Sequence, residues 1–595
     1  MLSAQRLDDN PCRPRHFKPP PCAPVIADGA AAEFLDTTRT RLLLAAALFA
    51  LIFIVVAGRL VDVVAMADGA NDAHVARNHL VVPPPVRADI VDRNGTLLAT
   101  NLDSPALYVD SKIMLQAGED PDAAARAITA ALPDLSLADI RAKLVSGKSF
   151  AYLTRSLTPR QEYAINNLGI PGIEFEPGEK RRYPLGDLVA HVVGYCSVDN
   201  IGQAGLERGL NPAIKGSGKP VTLALDARVQ FVLKDELQQV ITQFNAKGAA
   251  GIIMNVRTGE IVAMASLPDF DPNHPPTTDP KRGTADDKDR IFNKITSGEY
   301  ELGSVFKIFN TAMALDNNVA TMTSTFDARN PITIGRFTIE DYHGKHRVLS
   351  VPEIFAYSSN IGSARMAVAA GPKLQRDFLA KLGLLDPVPI EFDKVEVARP
   401  HFPALWREVN VMTIAFGHGI AVTPLHMITA TAAMINGGIL HPPTMLKVPD
   451  GAKVAGVRVI SARTSDQIRK LMRLVVESGT AKQAEAPGYV VGGKTGTAEK
   501  NLHGHYEEKA LLSSFIGAFP MNDPQYVILT LVDEPHGNKE SHGYATAGWT
   551  VAPATSRIIQ RIAPLLGVAP VDEKSPDIVR ALQIESLAGK KLEYN

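Results

Sequence analysis

Residues 42–58 (LLLAAALFALIFIVVAG) form an unbroken run without a charge near the start of the chain. At about 17 residues the run is at the short end of what crosses a bilayer as a helix. It is too evenly apolar to be one face of a soluble helix. Arg41 and Arg59 flank it and can snorkel to the interface, which eases the length requirement. Arg6, Arg13, Arg15, Lys18, Arg39 and Arg41 precede it, whereas only Arg59 and Arg77 follow closely. The positive-inside rule then places the N-terminal tail in the cytoplasm and the bulk of the chain outside. A cleaved signal peptide is the competing reading, since Ala65-Met66-Ala67 has the form of a cleavage site. The preceding tail is too long for that and the apolar run exceeds an ordinary signal core. The sequence therefore predicts one uncleaved transmembrane helix over 42–66, after a proline-rich, disordered tail at 1–41.

The rest of the 595 residues leaves room for more than one folded unit. A net charge of −1 gives no electrostatic footprint for nucleic acid. Cys12, Cys22 and Cys196 are the only cysteines; their spacing is neither a disulfide framework nor a zinc site, and Cys196 reads as a small buried hydrophobe. Residues 81–86 (VVPPPV) read as a stiff connector, and Asn94-Gly95 as a hairpin turn. Helical patterns occupy 122–131 and 137–144, and proline- and glycine-rich turns punctuate 170–220. From 221 the character changes. Residues 229–244 form an amphipathic helix pattern, and 249–256 and 260–266 are β-rich runs joined by Arg257-Thr258-Gly259. Three more strands are predicted at 489–497, 513–519 and 526–532. Strands from both ends with helices between them predict an α/β (α+β) domain, a mixed sheet covered by helices. The expected division is 67–220, 221–570 and a C-terminal tail at 571–595.

Three motifs within 221–570 carry chemistry, and each occurs once. In Ser304-Val305-Phe306-Lys307, at a predicted helix start, positions i and i+3 share a face. The Lys307 amine can then reach the Ser304 hydroxyl and take its proton, provided that burial or a second cation depresses its pKa. In Ser358-Ser359-Asn360, Ser358 can relay a proton, and Asn360 can accept from a neighbouring lysine while donating to a substrate carbonyl. Lys494-Thr495-Gly496-Thr497 ends a strand. Its cation and hydroxyls suit a substrate carboxylate, and the backbone N–H of Thr497 can pair with that of Ser304 as an oxyanion hole. Each motif alone is weak; serine and asparagine also dominate caps and turns. Their joint occurrence in this order is the signature of β-lactamases and penicillin-binding proteins.

With that trio, the chain resembles the class B penicillin-binding proteins, and specifically the division-type peptidoglycan D,D-transpeptidases of the FtsI family. Arg87-Ala88-Asp89-Ile90-Val91-Asp92-Arg93-Asn94-Gly95 is similar to the family's stalk motif, with Ala88 in place of the usual glycine. Arg181-Arg182-Tyr183-Pro184-Leu185-Gly186, Ala190-His191-Val192-Val193-Gly194-Tyr195 and Gly205-Leu206-Glu207 resemble the next motifs. Tyr300-Glu301-Leu302-Gly303-Ser304 departs from the family's pattern at Leu302, where proline is usual. Gly417-His418-Gly419, Thr423-Pro424-Leu425 and Asn436-Gly437-Gly438 also fit.

The resemblance implies an elongated α+β pedestal at 67–220 before a penicillin-binding transpeptidase domain, in a single-pass protein of the cell inner membrane with its catalytic domain periplasmic. It implies Ser304 as the acylated nucleophile, Lys307 as its base, and Ser358, Asn360 and Lys494 as further catalytic groups. Ser359, Thr495, Gly496 and Thr497 would bind substrate, with Ser304 and Thr497 backbone forming the oxyanion hole. The partners implied are peptidoglycan stem peptides, β-lactam antibiotics as covalent inhibitors, and an FtsW-type glycosyltransferase with other divisome proteins. No cofactor and no metal is implied. The competing readings are an elongation-type transpeptidase, an active-serine D,D-carboxypeptidase or β-lactamase, and a β-lactam sensor. The anchor and the stalk-like motifs weigh against a plain hydrolase, and a single span weighs against a sensor.

Overall fold

The computed structural model describes residues 43–58 and 87–584, except 217, 280, 281, 336, 503 and 504. Cys12, Cys22 and the expected tail at 1–41 lie outside the described residues. Of the expected span, 43–58 is helical with every side chain exposed, including Leu44, Phe49 and Phe53; 42 and 59–66 are not described. Among the described residues, no helix is long and apolar enough to cross a membrane.

From Arg87 onward the described residues fall within one compact unit. Its first part is built on the predicted Asn94-Gly95 hairpin. Asp92 accepts the backbone N–H groups of Asn94 and Thr96, each at 2.8 Å, and Gly95 supplies the positive φ that the turn requires. The hairpin strands Ile90–Val91 and Leu97–Asp103 join Glu179–Arg182 and Val221–Thr222 in a four-stranded sheet. A second sheet sets Ala106–Val109 between Ala151–Thr154 and Ile173–Glu176. The predicted helices there form, at Pro121–Ala131 and Leu137–Leu144, and close a separate core around Leu107, Met114, Ile128 and Leu144.

Three sequence motifs of this region converge on one buried charge. Glu207 is fully buried and accepts Arg87 Nε at 2.6 Å on one oxygen and Arg181 Nε at 2.7 Å on the other. Arg87 also donates to Asn211 at 2.6 Å, and Arg181 to the carbonyl of Ala88 at 2.9 Å. Cys196, expected as a small buried hydrophobe, is free but only half-buried, and burial pushes its thiol up to about 12.

The second part is the helix-covered sheet with strands from both ends of 221–570. Its strands are β1 (Gly248–Asn255), β2 (Ile261–Leu267), β3 (Gly492–Leu502), β4 (His505–Phe519) and β5 (Tyr526–Asp533), in the order β3-β4-β5-β1-β2. The expectation of a mixed sheet is refined: every pairing is antiparallel. The helices that matter to the site are α1 (Ala227–Phe244), α2 (Lys307–Asp316), α3 (Asn360–Ala370), α4 (Pro424–Ile435), α5 (Ala462–Ser478) and α6 (Val551–Ile562). α1 and α6 pack on one face of the sheet. α2 is buried along nearly its whole length, from Lys307 to Leu315, which makes it a rigid axle between sheet and helices.

The segment expected to trail off after 570 is docked as far as Ile584. Val571 donates to the carbonyl of Gly488 at 2.8 Å, Glu573 pairs with Arg473 at 3.3 Å, and Leu582 and Ile584 join the main core. A helix at Pro576–Leu582 carries them.

Candidate active site

The Ser304–Lys307 motif opens a helix, as the sequence predicted, with one turn of tighter winding. Gly303–Phe306 is a 3₁₀ turn that runs into α2 at Lys307. Gly303 has φ +62°, a conformation that favours glycine. The backbone of the following glycine-rich turn crosses it closely: a Cβ on Gly417 would lie 2.2 Å from the Gly303 carbonyl. Leu302, where the family pattern has proline, is buried in the main core, so its side chain serves packing.

Lys307 is fully buried, and its Nζ sits at the centre of the site. It is 3.0 Å from Ser304 Oγ, 3.1 Å from Ser358 Oγ and 2.7 Å from Asn360 Oδ1, and it also reaches the Ser358 carbonyl. Burial, then the neighbouring Lys494, holds its pKa well below the ordinary lysine range; Asp341 opposes the shift only in part. A neutral amine at this position has a lone pair for the Ser304 proton. The sequence required depression by burial or a second cation, and both are in place.

Ser358 sits between two helices. It ends the helix Val351–Tyr357 in the left-handed conformation, φ +61° and ψ 39°, which is uncommon for serine and marks constrained backbone. Its hydroxyl is 2.9 Å from Lys494 Nζ and 3.1 Å from Lys307 Nζ, so one hydroxyl bridges two buried amines. Ser359 is the N-cap of α3, accepting Gly362 N at 2.9 Å and donating to Asp341 at 2.7 Å. At 2% exposure its side chain gives a substrate no access. The expectation that Ser359 binds substrate is therefore corrected: its hydroxyl is committed to holding the loop.

Asp341 escaped the sequence reading. Besides Ser359, its carboxylate accepts the backbone N–H of Asn360 at 2.6 Å and of Ile361 at 3.0 Å. The Asn360 amide donates to the Glu340 carbonyl at 3.0 Å, which leaves Oδ1 facing Lys307. Nothing around Asp341 in the sequence marks it, because its role comes from a hairpin (Ile332–Ile334 with Phe337–Ile339) folding over the start of α3.

The third motif lies on β3 as predicted, and the glycine in it has a steric reason. A Cβ on Gly496 would lie 2.4 Å from the Leu302 carbonyl and 2.7 Å from Ser514 Oγ. β3 is thus pressed against the turn that carries Ser304, and the Thr497 carbonyl would be 3.1 Å from a Cβ on Gly303. Lys494 is fully buried, turned toward Ser358 and toward the Thr495 carbonyl at 3.2 Å. Burial pushes it down to about 7. Thr495 shares a 2.6 Å hydrogen bond with Thr480, a partner the sequence did not flag. Thr497 Oγ1 accepts Ala547 N at 3.2 Å. His418 stands 3.5 Å from Glu301, and burial, with the Lys307 amine when protonated, lowers its pKa. Among the described residues no cluster of histidine, cysteine and acidic side chains could hold a metal ion.

A serine beside a buried, depressed lysine, with a second serine bridging to a second lysine, defines an active-serine acyl-transfer site. The penicillin binding protein transpeptidase domain matches residues 249–555, and the penicillin-binding protein dimerisation domain matches 82–243. The chain belongs to the class B penicillin-binding proteins of the FtsI-like transpeptidase family. It is 43% identical to "Probable peptidoglycan D,D-transpeptidase FtsI" of Caulobacter vibrioides, over 81% of this chain and 82% of that one. It is 30% identical to "Probable peptidoglycan D,D-transpeptidase PenA" of Neisseria meningitidis, over 82% and 86%. Among solved structures, penicillin binding protein 3 of Mycobacterium tuberculosis, complexed with ampicillin, is 25% identical with a TM-score of 0.64, over 84% of this chain and 99% of that one. The transpeptidase domain of penicillin-binding protein 3 from Burkholderia pseudomallei is 28% identical with a TM-score of 0.52, over 59% and 98%.

Proposed function

We propose that this chain cross-links peptidoglycan stem peptides through an acyl-enzyme on Ser304. The observation that carries the reading is Lys307 Nζ, buried and 3.0 Å from Ser304 Oγ. Lys307 takes the hydroxyl proton as Oγ bonds to the carbonyl carbon of the penultimate D-Ala. The C–N bond to the terminal D-Ala breaks, and the proton passes by way of Ser358, which bridges both lysines, to the departing amine. An amine from a neighbouring strand then attacks the ester. Its proton goes to Lys307 and returns to Ser304 Oγ as the cross-link is released.

In this reading the Ser304 and Thr497 N–H groups stabilise the oxyanion, Asn360 aligns the stem peptide, and Thr495 and Thr497 face the terminal carboxylate under the charge of Lys494. A β-lactam enters the same path: its ring amide opens on Ser304 and leaves an ester with no departing group. The ampicillin complex of the Mycobacterium tuberculosis relative supports this. The exposed apolar helix at 43–58 supports a single-pass anchor in the cell inner membrane. The likeness to FtsI supports work at the division septum beside an FtsW-type glycosyltransferase and other divisome proteins. The test is mass spectrometry and peptide mapping after penicillin treatment. A single adduct on Ser304, absent in Ser304→Ala, is expected; an adduct on another serine overturns the assignment. For the septal role, depletion in the host should give unseptated filaments, and rounded cells that still divide would refute it.

A further inference from the structure

A cleft of about 500 Å³ opens away from Ser304. Its walls bring His191 and Gly205 together with Phe270, Phe292, Phe392 and Glu396, so motif residues from before and after 221 meet in it. The size is that of small-molecule sites, and the wall is mainly apolar with a few polar groups, as such sites are.

One buried polar atom in this wall, Glu396 Oε2, has no hydrogen-bond partner, whereas the His191 ring faces the backbone carbonyls of Pro268 and Arg290. Buried polar atoms are nearly always satisfied, so an unpartnered carboxylate oxygen in a cleft calls for an explanation. His191 is only 8% exposed. Glu396 is held in place, because its other oxygen accepts Gly205 N at 3.1 Å and its carbonyl accepts Ser297 Oγ at 2.8 Å. Three of the nearby cations are engaged with acidic side chains, and Lys288 stands exposed on the wall. Arg208 faces Asp393 at 3.5 Å, Lys234 faces Asp187 and Asp269 at 2.9 and 2.7 Å, and Lys294 faces Asp289 at 3.1 Å. Among the described residues no cation pairs with Glu396. Burial lowers His191 to about 4, so its imidazole is neutral.

We propose that this cleft binds a small organic monocation with a flat apolar body, its N–H donors meeting Glu396 Oε2 and its body lying against Phe270, Phe292 and Phe392. An amidinium or ammonium on an aromatic ring has that chemistry, and a planar amidinium can pair with a carboxylate in fork geometry. The site is separate from the acyl-transfer machinery, and its occupant would tie the pedestal segment to the transpeptidase segment.

The test uses benzamidine, titrated into the full chain by calorimetry, with neutral benzamide as comparator. Saturable benzamidine binding is expected, with benzamide weaker by about tenfold or more, as loss of one charge-assisted contact dictates. Glu396→Gln keeps an acceptor for Gly205 N and removes the charge; it should weaken benzamidine by a similar factor and leave penicillin acylation of Ser304 unchanged. Val395→Trp, at an exposed position of the wall, should block binding without touching the core, and serves if Glu396→Gln does not fold. Absence of saturable benzamidine binding overturns the proposal. So does equal binding of benzamide, or wild-type affinity in a folded Glu396→Gln or Val395→Trp protein.

Discussion

The carboxylate of Asp341 accepts the backbone N–H of Asn360 at 2.6 Å, so an acidic residue outside the three motifs fixes the second of them. The same carboxylate takes Ser359 Oγ and Ile361 N, and the start of α3 is thereby tied to the hairpin above it. Asp341→Ala removes these contacts and part of the cap. A lost cap costs about 1–2 kcal/mol of stability, and freedom in Asn360 and Ser358 should slow penicillin acylation by about tenfold or more, since small displacements of positioned groups cost rate steeply. Stopped-flow acylation with a fluorescent penicillin, beside a thermal melt, checks both. A variant that melts lower yet acylates at the wild-type rate would show Asp341 to be a cap only.

Lys307 and Lys494 should together set the pH dependence of acylation. In the proposed role of base Lys307 must be neutral, so acylation should rise as pH climbs through its depressed pKa. Lys494 is cationic below about 7 and neutral above, so the rate should fall again on that side. Stopped-flow acylation from pH 5 to 9 should trace a bell whose descending limb lies near neutrality. Lys494→Ala should lower the whole profile, by about 1.5–3 kcal/mol in the barrier, and erase that limb. A rate that keeps climbing to pH 9 in the wild type would remove Lys494 from this role.

The same lysine predicts a stability trend of opposite sense. Its folded pKa lies below the ordinary 10.5, so between about pH 7 and 10.5 the unfolded chain binds the extra proton. Stability contributed by this group therefore rises with pH across that window. Urea melts at pH 7.5 and 9.5 should show the rise in the wild type and a smaller one in Lys494→Met. An equal rise in both would mean that other groups dominate the titration.

The sheet and the three motifs were legible because each leaves a local mark. Strands 249–256 and 526–532 are β-rich, mostly apolar runs, and Ser304 with Lys307 or Lys494 with Gly496 have fixed short spacings. What was not legible depends on distant segments meeting. Asp341 and Thr480 look like ordinary polar residues, and only the folded chain brings them to Asn360 and Thr495. Ser359 was misassigned for the same reason: its place in the triplet suggests substrate, and its burial says otherwise. The docked end of the chain is held by Glu573, Leu582 and Ile584, and three isolated contacts make no periodic pattern.

Glu207 predicts a fault away from the chemistry. Both its oxygens are taken by buried guanidinium groups of Arg87 and Arg181. Glu207→Gln leaves two buried cations around a neutral amide, and breaking one partner of such a network costs about 3–5 kcal/mol. Denaturant unfolding should show this loss, while the fraction that remains folded should still label with penicillin at the wild-type rate. Unchanged stability would mean that the bonds the arginines already make to Asn211 and Asn101 suffice to hold them.

The packing of β3 against the nucleophile turn gives the sharpest steric prediction. Gly496 has no room for a methyl group, since a Cβ there would stand 2.4 Å from the Leu302 carbonyl and 2.7 Å from Ser514 Oγ. The carbonyl is backbone of the turn that presents Ser304, so it cannot rotate away as a side chain would. In Gly496→Ala either β3 or the turn must move, and both carry groups that have to meet one acyl carbon. Displacement of about 1 Å at such a site costs on the order of a hundredfold in rate, whereas overpacking costs about 1–3 kcal/mol in stability. The variant should therefore remain folded, since the main core is extensive, and acylate about a hundredfold more slowly. Gly95→Ala serves as a control: a Cβ there has nothing within 4 Å, and only its positive φ is strained. That control should lose some stability and acylate normally. Gly496→Ala acylating at the wild-type rate would mean that the turn and β3 separate freely, contrary to the contact seen between them.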